Sequence, residues 1–354
     1  MKALVLSGGS GVRLRPFSYS MPKQLIPIAN RPVLEHVLGN IRALGVTEIA
    51  LVVGDWAAEI AEAVGDGSRF GAHITYIRQD RPLGLAHAVL LARPFLAEDD
   101  FVMYLGDNIL QDGVVEIAEE FRASRPAAHI VVHEVPDPRA YGVAEVDADG
   151  VVQRLVEKPA QPGSRLAIVG VYFFTAAIHE AVTAIACSAR GELEITDAIQ
   201  WLVSHGAEVR AREYSGFWKD AGRVEDVLEC NRRLLGELRP AIAGQVDASS
   251  ELRGAVVEPG ARVVRSRIEG PAIIGANTLI EDSHIGPNTS IGRDCVLRGT
   301  DLADSVVLDG TSISAVSGLH GCLIGRSASI GPRGDGEIRH RIVVGDHARI
   351  EIAT

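Results

Sequence analysis

The chain has 354 residues, 47% of them hydrophobic and 23% charged, with a formal net charge of −11. That acidic balance argues against nucleic acid or an anionic membrane as partner, because both select clustered Lys and Arg, and no apolar run approaches the roughly 20 residues that cross a bilayer. The length suits two domains, each able to bury its own core, and the 37 glycines point to tight turns in a fully folded chain.

In chain order, Ala3-Leu4-Val5-Leu6 leads straight into a glycine-rich loop, too soon for the apolar core of a secretion signal, so a cytoplasmic location is the default expectation. From Met1 to about Leu238, short β-rich runs alternate with helical periodicity, the pattern of a mostly parallel sheet covered by helices. Residues 3–6, 49–53 and 101–105 read as its central strands. Between the first two, Pro32 suits a first helical turn, Val33, Val37, Ile41 and Leu44 recur at helical spacing, and Gly45 closes the segment. The turn dipeptide Asp149-Gly150 separates residues 142–146 from 151–155 and predicts a hairpin, expected to form a small antiparallel insert over one side of the site.

From about Gln245 a six-residue spacing replaces helical periodicity: Ile268, Ile274 and Ile280, then Ile285, Ile291 and Leu297, later Ile324 and Ile330, and Val344 and Ile350. Glycine directly follows several of these, as in Ile274-Gly275, Ile291-Gly292 and Val344-Gly345. Such repeats predict a parallel β-helix, whose aliphatic stack is buried only against neighbouring turns. Ordinary antiparallel strands would alternate with a period of two instead. The repeats resemble the left-handed hexapeptide β-helix, whose crossovers depart from the usual right-handed rule. Cys187, Cys230, Cys295 and Cys322 are widely spaced without a CxxC pair and read as buried small apolar side chains, not as zinc ligands or a disulfide framework.

The loop Leu6-Ser7-Gly8-Gly9-Ser10-Gly11-Val12-Arg13-Leu14 follows a strand, and its glycines let backbone N–H groups approach a polyphosphate. It lacks the Gly-Lys-Ser/Thr ending of a Walker loop and the third glycine of the dinucleotide fingerprint. Alone it reads equally as a tight connection. With Met21-Pro22-Lys23-Gln24-Leu25, however, the pair GGxGxRL…PKQL resembles the signature of the sugar-nucleotide pyrophosphorylase family. The resemblance implies an α/β, Rossmann-like nucleotidyltransferase domain over residues 1–240, then a C-terminal left-handed parallel β-helix over 241–354. It also implies a reaction joining a nucleoside triphosphate to a sugar 1-phosphate with release of pyrophosphate.

Residue by residue, the resemblance places the nucleotide against Leu6, Gly8, Gly9, Gly11, Arg13, Lys23 and Gln24, with Gln79 and Gly84 at the base edge and Asp107 beside the phosphates. A glutamine amide can both give and take a hydrogen bond, which suits a base with adjacent carbonyl and imide groups. Asp107 and Asp220 are the implied Mg²⁺ ligands, an oxygen-rich and incomplete protein shell of the kind that ion prefers. Asn108, Tyr141, Gly142, Glu157, Lys158 and Val169 are the implied sugar contacts, and Arg13, Lys23, Asp107, Lys158 and Asp220 the catalytic set. Without the motifs, Asp107 reads as a turn or helix cap and Glu157-Lys158 as a surface ion pair. Residues 190–197 also match; read alone they begin a helix with Glu near its N-terminus.

Within the family the match is to enzymes acting on dTTP and glucose 1-phosphate, and UTP is the alternative, since the methyl group separating thymine from uracil is worth only about 1 kcal/mol. Ser7, Val12 and Ala221 depart from the usual residues without removing a charge or a metal ligand. Two further readings are an acyl-transferring β-helix using His284, His320, His340 or His347 as general base, and a silent subunit, which retention of all five charged residues opposes. A homo-oligomer built through the β-helix is the expected assembly.

Overall fold

The computed structural model describes residues 1–9, 11–332, 343–344 and 349–352. It divides into two compact units, one comprising Met1–Ser10 and Leu34–Asp220, the other Gly11–Val33 and Ala221–Thr354.

The first unit is built on a nine-stranded sheet of β1 (Lys2–Ser7), β2 (Glu48–Val53), β3 (His73–Arg78), β4 (Phe101–Leu105), β5 (Ala128–Glu134), β6 (Gly142–Val146), β7 (Val152–Glu157), β8 (Leu166–Phe174) and β9 (Val209–Glu213). Its order is β7-β6-β8-β4-β1-β2-β3, with β5 on β8 and β9 on β5. The three expected central strands lie together: β1 runs parallel to β2 on one side and β4 on the other. Ala3, Leu4 and Val5 are fully buried, as a strand covered on both faces requires.

Helices α1 (Val33–Ala43), α2 (Ala57–Val64) and α4 (Val115–Ser124) bury Leu34, Val37, Ile41, Ile60, Val64, Ile117 and Phe121 in one core. Helices α3 (Leu85–Leu96), α5 (Ile178–Ala184) and α6 (Ile195–Ser204) bury Val89, Ala92, Leu96, Val182 and Ile199 in another. As predicted, α1 stops before Gly45, which takes φ +78° and donates its N–H to Arg42 O at 2.9 Å.

Two expectations change. The predicted hairpin is present as β6 and β7, but Val143 pairs with Ala167 of β8, so it forms the edge of the main sheet and not a separate insert. And β8 runs antiparallel to β4, β5 and β6, which makes the sheet mixed. A hydrophobic run such as Leu166–Phe174 carries no record of its own direction, since both faces are buried either way.

The second unit contains α7 (Val224–Leu235) and two ladders of short parallel strands. Arg262, Leu279, Val296, Ser312 and Ser329 are successive register partners along one ladder. The six-residue repeat residues Ile268, Ile274, Ile280, Ile285, Ile291 and Leu297 are all fully buried in a shared core. Between strands, Asn277, Asp282, Asn288 and Asp294 take positive φ, which short polar side chains tolerate better than others. Buried hydroxyls are satisfied by neighbouring backbone: Thr278 Oγ1 donates to Gly292 O at 2.7 Å and accepts from Cys295 N at 3.0 Å.

The Gly11–Val33 segment is fastened within this unit. Asn30 Nδ2 donates to Ile291 O at 2.7 Å, and Arg326 Nη2 to Ser20 O at 3.0 Å. Asn231 of α7, fully buried, accepts from Ala29 N at 2.9 Å and from Ser290 Oγ at 2.6 Å while donating to Asn288 O at 3.1 Å. Cys230, Cys295 and Cys322 are buried free thiols as expected, whereas Cys187 is exposed. Among the described residues no helix is long and apolar enough to cross a membrane.

Candidate active site

Where β1 ends, Gly8 lies so near Gln79 that a methyl group on it would stand 3.4 Å from Gln79 Oε1. Gln79 directly follows β3 and is fixed there by its N–H donating to Val53 O at 2.8 Å. Its amide Nε2 is 3.2 Å from Gly84 O and 3.0 Å from His87 Nδ1. Gly84 precedes α3 with φ +103°, and a Cβ there would come within 2.3 Å of Leu193 O. No other residue fits. Leu6 is a buried core residue whose carbonyl accepts from Gly106 N at 2.9 Å, and Gly9 is exposed.

Arg13, Lys23 and Gln24 belong to the second unit, as does Gly11. Gly11 takes φ +64°, and a Cβ on it would meet Ser18 Cβ at 3.1 Å and Lys23 Cβ at 3.4 Å, so the glycine lets the lysine segment fold against the loop. Arg13 is exposed on a short 3-10 turn, Val12–Leu14. Gln24 is only 1% exposed, and its Oε1 accepts no hydrogen bond among the described residues. An unsatisfied buried amide oxygen is costly and marks a place where a donor is expected.

Asp107 lies just past the end of β4 and is 8% exposed. Residues Asn108–Leu110 then pair antiparallel with Trp218–Asp220, and Asp220 stands opposite Asn108 in the register. This ribbon places Asp220 opposite the residue that follows Asp107 in the chain. Asn108 is spanned from both sides: its Nδ2 donates to Asp107 Oδ1 at 3.0 Å and its Oδ1 accepts from Trp218 Nε1 at 2.7 Å. It therefore orients Asp107, a role the sequence did not suggest. Among the described residues no cluster of three or more His, Cys, Asp or Glu could hold a metal. Two carboxylates fit a hard divalent cation that takes the rest of its shell from phosphate and water.

A third cluster surrounds Glu157. Lys158 Nζ lies 3.0 Å from Glu157 Oε1, Arg190 Nη1 3.3 Å from the same oxygen, and Thr196 Oγ1 donates to Oε2 at 2.8 Å. Lys158 has φ +42° and donates its N–H to Tyr141 O at 3.0 Å. Tyr141 in turn packs edge-on against Trp218 at 5.4 Å between ring centres. A Cβ on Gly142 would sit 2.9 Å from Thr196 Oγ1, so this glycine makes room for the Glu157–Thr196 contact. Val169 is buried in the core.

Arg190 also approaches Glu194 at 3.2 Å and Glu192 at 3.3 Å. Burial raises the Glu194 carboxyl above its ordinary range, against the opposing bond from Ser188, and burial followed by the charge of Glu157 raises Asp197. Arg190 and Thr196 are the partners of Glu157 that sequence reading left unassigned; their only signal was the general match over 190–197.

Residues 2–237 match the family model described as nucleotidyl transferase. The chain belongs to the nucleotidyl transferase family. Residues 268–353 match a second model, the GMPPB C-terminal domain. Over their whole lengths this nucleotidyl transferase and a Streptomyces griseus glucose-1-phosphate thymidylyltransferase are 52% identical. A Streptomyces antibioticus protein of the same description is also 52% identical, with 99% of each chain covered. A solved Bacillus anthracis structure described as a glucose-1-phosphate thymidylyltransferase, in complex with a sucrose, covers 68% of this chain and 98% of its own at 32% identity and a TM-score of 0.63.

The acyl-transfer reading is not favoured for this nucleotidyl transferase. His284 points Nδ1 at Asp301, 3.1 Å away, and Nε2 at Glu269, 3.6 Å away, so both ring nitrogens face carboxylates. His320 is exposed, and His340, His347 and Gly345 lie outside the described residues.

Proposed function

We propose that the chain condenses dTTP and glucose 1-phosphate to dTDP-glucose and pyrophosphate. The observation that carries this reading is the 52% identity, end to end, to a glucose-1-phosphate thymidylyltransferase, in a chain where Asp220 pairs opposite Asn108, the residue after Asp107. A phosphate oxygen of glucose 1-phosphate attacks the α-phosphorus of dTTP in line. The new P–O bond forms as the bond to the β-phosphate oxygen breaks, and pyrophosphate leaves with the electron pair. No covalent enzyme intermediate is needed, because the nucleophile is already an anion and the catalytic work is positioning and charge neutralisation.

In this reading the backbones of Gly8, Gly9 and Gly11, with Arg13, Lys23 and Gln24, take the triphosphate. Gln79 and Gly84 face the base, Lys158 takes the sugar phosphate, and Glu157 accepts from sugar hydroxyls beside Tyr141, Gly142 and Val169. Asp107, oriented by Asn108, and Asp220 would hold Mg²⁺, which when bound supplies positive charge to the reacting phosphates. The reading also divides the chain into a catalytic region over 1–240 and a left-handed β-helix over 241–354, and it takes the β-helix as the assembly surface of a cytoplasmic homo-oligomer. Light scattering that gives a monomer mass would remove the last element.

The test is pyrophosphate release across dTTP, UTP, GTP, ATP and CTP with several sugar 1-phosphates. The highest kcat/KM is expected for dTTP with glucose 1-phosphate, with measurable use of UTP. A preference for GTP with mannose 1-phosphate, or for ATP, overturns the substrate assignment.

A further inference from the structure

Gln79 carries two N–H bonds and one carbonyl oxygen on a nearly symmetric amide, so what it can read depends on which end faces the ligand. Nothing in the amide itself decides this. Its surroundings do: Nε2 lies 3.2 Å from the carbonyl of Gly84 and 3.0 Å from Nδ1 of His87, while Oε1 is the atom turned toward Gly8 of the phosphate loop. Gly84 is held in place by its own geometry, since its backbone is pressed against Leu193, and the neighbouring backbone is tied there by Ala86 N to Leu193 O at 3.0 Å and Leu193 N to Leu83 O at 2.8 Å. The Gly84 carbonyl is therefore a fixed acceptor that takes one N–H of Gln79.

The second N–H goes to His87 on the first turn of α3. With an amide N–H in front of it, Nδ1 is the acceptor of this bond. Both donors of the amide are then occupied and its oxygen is what remains for a ligand. We infer that His87 is a positioning residue that locks the Gln79 amide with its oxygen toward the base, so that the site selects a base presenting an N–H at that edge. Thymine and uracil present their imide N3–H there, whereas cytosine N3 and adenine N1 are acceptors and would face the amide oxygen lone pair to lone pair. Leaving a polar edge mismatched in a partly buried site discriminates far more strongly than a methyl group can. Thymine against cytosine is thus decided by His87 through Gln79, and thymine against uracil is not.

This inference rests on the dTTP reading above, and the experiment separates the two. Steady-state kinetics with dTTP and CTP, at saturating glucose 1-phosphate, are compared for wild type, His87→Leu and His87→Asn. Asparagine places a carbonyl oxygen near the position of Nδ1, and leucine offers no acceptor. The leucine variant should raise the KM for dTTP about tenfold with kcat within about twofold, the size expected for one lost hydrogen bond in such a site. It should also narrow the preference for dTTP over CTP by about tenfold. The asparagine variant should recover most of both. His87→Phe serves as a second acceptor-free variant if the leucine protein folds poorly, with melting curves as the control. A folded leucine or phenylalanine variant with wild-type KM and base preference overturns the inference alone, as does an asparagine variant impaired as badly as leucine. Wild-type preference for CTP or ATP over dTTP overturns both readings.

Discussion

The sheet unit and the coiled-repeat unit solve the same problem, burying aliphatic side chains, in opposite ways. In the repeats, every coil presents the same aliphatic positions to its neighbours, and the polar groups inside, such as Thr278 and Thr311, are spent on nearby carbonyls. In the sheet unit the regular pattern breaks beside the proposed site: Gly84 at φ +103°, Gly170 at φ +79° and Lys158 at φ +42° each depart from strand or helix geometry. A region that repeats has little freedom to place a single side chain. A region that interrupts its strands can aim one, and the interruptions are where polar groups meet from far apart in the sequence.

The sharpest way to break this comparison is Asp107→Asn. If the sheet unit carries the chemistry, kcat should fall by about 10³-fold, the upper range for removing one preorganised charge contact, with the melting temperature near wild type. Unchanged turnover at low Mg²⁺ would reject Asp107 as a metal ligand.

Ile313→Ala tests the other side. Ile313 is fully buried in the repeat core, and its truncation should cost about 3 kcal/mol in denaturant unfolding while kcat of the folded fraction is unchanged. A large loss of kcat would show that the repeats do more than support.

His129, 3% exposed on β5, tests burial within the sheet unit. Burial, followed by the charges of Arg210 and Arg212, lowers its pKa to about 4. The folded protein therefore resists a proton that the unfolded chain accepts below its ordinary value, so stability is full above about pH 6.5 and falls as pH drops toward 4. The loss reaches up to about 3 kcal/mol. Melting curves from pH 7.5 to 4.5 should show this slope in wild type and less of it in His129→Phe; equal slopes would reject it.

The smallest effect belongs to Asn231→Leu. It strips the Ala29 N–H and Ser290 hydroxyl of their buried acceptor, which should cost about 2 kcal/mol and raise the KM for dTTP, because the segment it fastens also bears Lys23. A variant equally destabilised but unaltered in KM would separate the repeats from nucleotide binding.

Much of this arrangement is legible in the sequence. Strand and helix positions follow from periodicity, the hairpin from Asp149-Gly150, and the repeats from their six-residue spacing. The nucleotide motifs are legible because they are local: Gly8 to Lys23 is a short stretch, and so is Gln79 to Gly84. What stays hidden is set by strand order. Arg190 reaches Glu157 only because the loop before α6 folds back beside the end of β7, and neither residue carries a local mark of the other. The antiparallel direction of β8 is silent for the same reason. Asn231 is hidden differently: within α7 it reads as one more polar position of an amphipathic helix, yet it is fully buried.

The register of the repeats has a consequence for length. Leu279 aligns with Val296, Val296 with Ser312 and Ser312 with Ser329, so deleting two or three residues from a strand would throw every later aliphatic side chain out of its stack. Insertions are tolerable only as bulges at the corners, where Asn288 and Asp294 already bend the chain, or as whole coils. Natural variants of this region should therefore differ in size by discrete steps, like a spring cut between turns, while the loops of the sheet unit vary by single residues.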